Sequence, residues 1–117
     1  MLKRIHEFDD IYIAGGATDG RKSVDGLAAI ISQGYRLDPF SNSLFLFCNK
    51  AKNRMKALVW DKTGFVLYYK RLDGKGARFY WPQEEEDMLK VNADQLKLLL
   101  TGFNMKGFKE VTARDFY

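Results

Sequence analysis

The 117-residue sequence holds one cysteine, Cys48, and one histidine, His6. A single cysteine excludes an internal disulfide and any cysteine-rich zinc site. It lies in the apolar run from Leu44 to Cys48, where a buried, inert thiol is expected. A lone histidine near the N-terminus leaves neither a histidine-based catalytic triad nor a multi-histidine metal site; a surface position suits it. Carboxylates Asp19, Asp25, Asp38 and Asp61 are scattered over turns, each explicable as a cap or turn former. No enzyme, metal or cofactor is expected from this set. No apolar run reaches the roughly 18 residues of a membrane span, and Met1-Leu2-Lys3-Arg4-Ile5-His6-Glu7 is too polar for a signal peptide. The expectation is a cytoplasmic protein with no membrane partner. Internal repeats and low-complexity segments are absent.

What the chain does have is a pattern of β-branched and aromatic residues around Asp61-Lys62-Thr63-Gly64, a short polar link of the hairpin type. Gly64 is expected to supply the positive φ of the turn. Pairing Asp61 with Gly64 sets Trp60 against Phe65, Leu58 against Leu67, Lys56 against Tyr69 and Arg54 against Arg71. A slip of one residue would reverse the faces. The other face carries Met55, Ala57, Val59, Val66, Tyr68 and Leu72, and is expected to be core. Leu44 to Cys48, apolar throughout, predicts a strand buried on both sides. Ile11 to Ala14 predicts a short strand closed by Gly15-Gly16. Arg78-Phe79-Tyr80-Trp81, after a glycine-rich turn, predicts a further strand ended by Pro82. Kept parity would place Arg78 and Tyr80 with Arg54, Lys56, Tyr69 and Arg71, and Phe79 and Trp81 with the core.

Two helices are expected. Val24, Leu27, Ala28 and Ile31 fall on one helical stripe, with Asp19 or Ser23 as N-cap and Gly34 just past the end. Gly26 within that helix suggests close approach of a neighbouring element or a weak first turn. The second runs from Ala93 to Thr101, capped by Asn92, striped by Leu96, Leu99, Leu100 and Phe103, and stopped by Gly102. Together these predict one α+β domain over residues 1–117: an antiparallel β-meander sheet with one helix before it and one short helix after it.

The net charge of +4 permits a nucleic-acid partner without requiring one. Residues 50 to 78 hold nine Lys and Arg against only Asp61 and Asp73. The acidic run Glu84 to Asp87 follows directly, and is expected to be a solvated loop. Three sites can be drawn from this. Gly15-x4-Gly20-Arg21-Lys22-Ser23 has the outline of a phosphate-binding loop, but Arg21 displaces the lysine and serine by one place from the motif. In a milder form, Arg21 and Lys22 beside backbone N–H groups could hold a nucleic-acid phosphate; alternatively Arg21 pairs with Asp25 one turn on. The basic–aromatic face of Arg54, Lys56, Tyr69, Arg71, Arg78 and Tyr80 has the chemistry that holds single strands, or is a half-solvated face on which cationic stems cover rings.

Read in order, Thr18-Asp19-x-Arg21-Lys22-x-x-Asp25-Gly26-Leu27-Ala28, Asp38-Pro39-Phe40, Leu44-Phe45-x-Phe47, Lys56-x-Leu58-x-Trp60-Asp61-x-x-Gly64-Phe65, Leu67-x-Tyr69-Lys70-Arg71-Leu72 and Arg78-Phe79-x-Trp81-Pro82 form a series. It resembles the TnpB-type accessory proteins, second open reading frame, of insertion sequence 66-like bacterial transposons. The likeness covers about residues 11–102; the tail 104–117 lies outside it. It implies a small protein encoded beside a separate transposase and needed for transposition, with the transposase of the same element as partner. Transposon-end DNA is a further expected partner, and a pure protein-interaction module is the alternative. The oligomeric state is open.

Overall fold

The computed structural model describes residues 4–83, 88–101 and 103–104. The strands are β1 (Asp10–Ala14), β2 (Ser43–Cys48), β3 (Arg54–Asp61), β4 (Gly64–Arg71), β5 (Ala77–Arg78), β6 (Met88–Val91) and β7 (Phe103–Asn104). Helix α1 (Val24–Ala29) runs on into a wider π-type turn (Ile30–Gly34), and α2 spans Ala93–Thr101. Five strands form one sheet in the order β4-β3-β2-β1-β6, while β5 and β7 form a separate two-stranded ribbon. The α+β expectation holds, and the sheet is mostly antiparallel. Its one parallel pair is β1 with β2, because α1 lies between them in the chain and carries it back to the starting edge of the sheet.

Strand β2 sits in the middle of the sheet, which is why all six of its residues are buried. The β3–β4 register is the expected one throughout, from Asp61↔Gly64 to Arg54↔Arg71. The turn differs in one respect: Lys62, with φ 51, takes the left-handed conformation expected of Gly64. The loop proper is Lys62-Thr63, so its first residue bears the positive φ and Gly64 already belongs to the strand.

The two faces of the sheet are covered by different elements. One packs Ile13, Leu46, Met55, Val59, Leu96 and Leu99, under α2; the other packs Ala14, Phe45, Phe47, Leu58, Leu27 and Ile31, under α1. Helix α2 has the expected bounds and a reciprocal cap: Gln95 N donates to Asn92 Oδ1 at 2.8 Å, and Asn92 N to Gln95 Oε1 at 2.9 Å. Helix α1 begins at Ser23, whose carbonyl accepts from Leu27 N at 2.8 Å. At Gly26 a Cβ would lie 3.3 Å from the stem of Lys22, one turn earlier, so the close approach is local and not that of a neighbouring element.

Residues 79–81 do not continue the meander. Phe79 N donates to Lys52 O at 2.7 Å, and the buried Trp81 indole to Ala14 O at 2.8 Å. These bonds lay the segment across the α2 face of the sheet instead of along β4. Phe79 and Trp81 do join the core, as expected. Strand β6, pairing antiparallel with β1, was not foreseen: four residues with a central lysine leave no alternation to detect. The expected acidic loop 84–87, the stop at Gly102 and the tail from Met105 lie outside the described residues.

Candidate nucleic-acid interface

The α1 face changes character along β3 and β4. Near the turn it is aromatic: Phe40 from the Asp38–Asn42 turn meets Trp60 edge-on at 4.9 Å and Phe65 at 5.5 Å between ring centroids. In the middle, Leu58 is completely buried beneath α1. Only the far end is open, where Arg54 is the cross-strand partner of Arg71, and Lys56 of Tyr69. Arg54, Tyr69 and Arg71 are exposed there. The expected basic–aromatic face is therefore confined to one end of the sheet.

The loop between β1 and α1 folds over that end. Lys56 Nζ donates to the carbonyl oxygens of Gly20 and Lys22, so its charge is turned inward against loop backbone. Between this loop and the β2–β3 turn runs a groove of about 580 Å³, lined by Ala17 to Arg21, Asn49 to Ala51 and Arg54. Three cations meet on it: Arg21, Lys50 and Arg54. Asn49 fixes the turn beside them, its Oδ1 accepting from Asn53 N at 3.1 Å and Arg54 N at 3.0 Å. Lys50, on this turn, is a residue that sequence reasoning passed over; its place in the basic stretch 50–78 was the signal.

Arg21 pairs with Asp19, not with Asp25: Nη2 and Oδ2 are 2.8 Å apart. Two residues of turn bring that carboxylate to both the Arg21 amide and its guanidinium. These bonds hold the Asp19 carboxyl well below the usual carboxylate range and raise Arg21. Arg71 is held likewise by Asp73, 2.6 Å from Nε, and raised by it. Lys22 is exposed.

Arg78 and Tyr80 lie elsewhere. With Lys52, Trp81, Leu98 and Leu99 they line a groove of about 760 Å³ on the α2 side. The structure thus brings together Arg21, Arg54, Lys56, Tyr69 and Arg71, with Lys22 on the adjoining loop, and separates Arg78 and Tyr80. The parity argument failed because β5 pairs with β7 and not with β4.

The setting of the Gly15–Ser23 loop, between a strand and a helix, is that of a phosphate loop. Four of its amides, however, are engaged within the chain. Gly16 N donates to Pro82 O, Thr18 N to Cys48 O, Lys22 N to Asp19 O and Arg21 N to the Asp19 carboxylate. A nucleotide cradle needs such groups turned outward. Among the described residues no three His, Cys, Asp or Glu side chains gather where they could hold a metal ion, and no helix is long and apolar enough to cross a membrane.

A family model described as "IS66 Orf2 like protein" matches residues 9–110, reaching further into the tail than the motif series does. Two similar proteins come from Sinorhizobium fredii (strain NBRC 101917 / NGR234). The "Uncharacterized protein y4hO" is 32% identical over 96 residues, 82% of each chain. The "Uncharacterized protein y4jC" is 27% identical over 94 residues, 80% of this chain and 79% of its own. No solved structure matches.

Proposed function

The chain belongs to the IS66 Orf2-like family, and from that premise we propose that it acts in the cytoplasm as a non-enzymatic transposition protein that holds DNA at the basic end of its sheet. The family implies the accessory role in transposition; the DNA contact is our own reading. The observation that carries it is the meeting of Arg21, Lys50 and Arg54 on one groove, continuous through the Arg54–Arg71 pair with the exposed Tyr69. Cations spaced along an open groove suit the phosphate backbone, and a tyrosine face beside them suits an unpaired base. The transposase of the same element and its transposon-end DNA are the proposed partners.

The test is fluorescence anisotropy of labelled transposon-end DNA at two salt concentrations, with a random duplex and a single strand as controls. The expected result is binding that weakens steeply with salt. Absence of binding to all three would refute direct DNA contact by this protein alone.

One observation favours a second reading, contact with the transposase. Phe40 is 57% exposed beside Trp60 and Phe65, and aromatic anchors of this kind are enriched at protein interfaces. Co-purification of the transposase, abolished by Phe40→Ala and accompanied by no DNA shift, is the outcome this reading expects.

A further inference from the structure

Strand β4 is an edge of the sheet. Asp61 and Gly64 close a two-residue loop as a hydrogen-bonded pair, so the backbone groups of Phe65, Leu67, Tyr69 and Arg71 point away from β3. No described residue bonds to them. Edges of this length are normally guarded by proline, a bulge or outward charge. From Gly64 to Tyr69 there is none: the sequence is Gly-Phe-Val-Leu-Tyr-Tyr, paired without interruption. Of the two cations that follow, Lys70 is turned onto the protein, and Arg71, though exposed, is engaged by a carboxylate on its own chain. Lys70 Nζ donates to Leu100 O at the end of α2, and Arg71 is held by Asp73.

The burial along this strand is also telling. None of its eight residues is buried, although five in succession are aliphatic or aromatic. The opposite edge, β6, is only four residues long, and its Lys90 is paired with Asp10 at 3.2 Å. Among the described residues, β4 is thus the one long, apolar edge without a guard.

We propose that this edge pairs with the same edge of a second copy of the chain, antiparallel about a twofold axis at Leu67. Outward backbone groups must face outward groups, which restricts the pairing to registers of even offset. Centring on Leu67 sets Phe65 against the partner's Tyr69, Val66 against the partner's Tyr68, and Leu67 against the partner's Leu67. Lys70 falls opposite the partner's Gly64 and Arg71 opposite the partner's Thr63, so no like charges face each other. The ring and aliphatic surfaces left half-exposed by the missing neighbour gain one. The union is a continuous ten-stranded sheet with an isologous interface. Its two basic ends share one face, with Arg71 and its counterpart roughly 26 Å apart along the strands. The pairing does not depend on DNA binding.

Sedimentation velocity on the full chain tests it, without nucleic acid. The expected species has twice the 13.5 kDa of one chain. Tyr69→Pro removes an outward N–H, which an isolated edge strand tolerates, and is expected to weaken the dimer at least about tenfold through the bonds lost from both copies. Tyr69→Ala keeps the N–H and is expected to remain dimeric. Circular dichroism establishes that Tyr69→Pro is folded. Should it fail to fold, Leu67→Cys decides: a self-paired position has a Cα separation of about 5.5 Å, within disulfide reach, so oxidation is expected to give a covalent dimer. A wild-type protein that stays monomeric at every concentration overturns the proposal. So does a folded Tyr69→Pro variant as dimeric as wild type, or a Leu67→Cys variant that fails to cross-link.

Discussion

Lys56 Nζ lies 2.8 Å from the carbonyl oxygen of Gly20 and 2.7 Å from that of Lys22, and donates to both. One strand residue thereby fastens a loop more than thirty positions away in sequence. Without these bonds the loop's carbonyls would face solvent, and Arg21 would lose its fixed place beside Arg54. Lys56 is a positioning residue: the charge that sequence reasoning assigned to ligand is consumed by backbone.

Replacing it separates those roles. Lys56→Met keeps the stem and removes both bonds. The expected loss of stability is about 1 kcal/mol, seen as a lower urea midpoint with unchanged m. Amide exchange should quicken at Lys22 and Leu27, whose N–H groups bond within the loop and first helical turn. The salt slope of DNA binding should stay as in wild type, because no phosphate contact is lost. A slope reduced by about one ion would place Lys56 on the DNA instead.

The two separated grooves make opposite predictions for arginines that the sequence alone placed together. Arg54→Ala is expected to reduce DNA affinity and lower the salt slope by about 0.9. Arg71→Ala should do the same more weakly, since Asp73 already neutralises part of that charge. Arg78→Ala, on the α2 side, is expected to leave both unchanged. Equal losses at Arg54 and Arg78 would move the interface away from the α1 face.

Asp19 tempers the groove. Its carboxylate holds Arg21, and because the pairing depresses its pKa, the negative charge persists throughout neutral and mildly acidic solution. The stabilising contact is therefore present above the usual carboxylate range and is lost only in strong acid, as pH falls through the depressed folded value. Asp19→Asn removes a charge that repels phosphate. It is expected to tighten DNA binding several-fold at low salt, with the gain fading as salt screens it. Between pH 5 and 8 the wild-type affinity should not vary on account of Asp19.

These contrasts mark what the sequence could convey. Period-two alternation and a polar link were enough to set the β3–β4 register residue by residue, and an unbroken apolar run was enough to mark β2 as a strand buried on both faces. Such signals are local, and burial on one or both faces writes them directly into residue choice. The course of residues 72–82 was not legible in the same way. Phe79 and Trp81 alternate as strand residues do, yet their partners are Lys52 O and the Ala14 carbonyl, from distant parts of the chain. Local pattern says that these rings are buried, not against what. The candidate site was legible in composition and not in assembly. Nine cations between positions 50 and 78 announced a basic surface, but only the fold shows that Lys56 turns inward and Lys50 outward.

Cys48 offers a last test, of the core and not of the groove. It is 1% exposed in the middle strand, and burial pushes its thiol up from about 9 to about 12, against smaller opposing effects of Lys52 and the Asn49 amide. The nucleophile in thiol chemistry is the thiolate, so at pH 8 the folded protein should react with Ellman's reagent only as fast as the core opens. The unfolded protein should react at once. Because the folded pKa is raised, the thiol contributes stability that is fully present below about pH 9 and is lost as pH rises towards 12. Lysines and tyrosines titrate in the same window, so the informative quantity is the difference between wild type and Cys48→Ala, measured by urea unfolding across it. Alanine is expected to cost a fixed amount at neutral pH, from the lost packing, with the deficit narrowing as the wild-type thiol begins to favour the unfolded chain. A deficit constant to pH 11, or a thiol labelled in the native state at pH 8, would mean that β2 does not lie in the centre of the sheet.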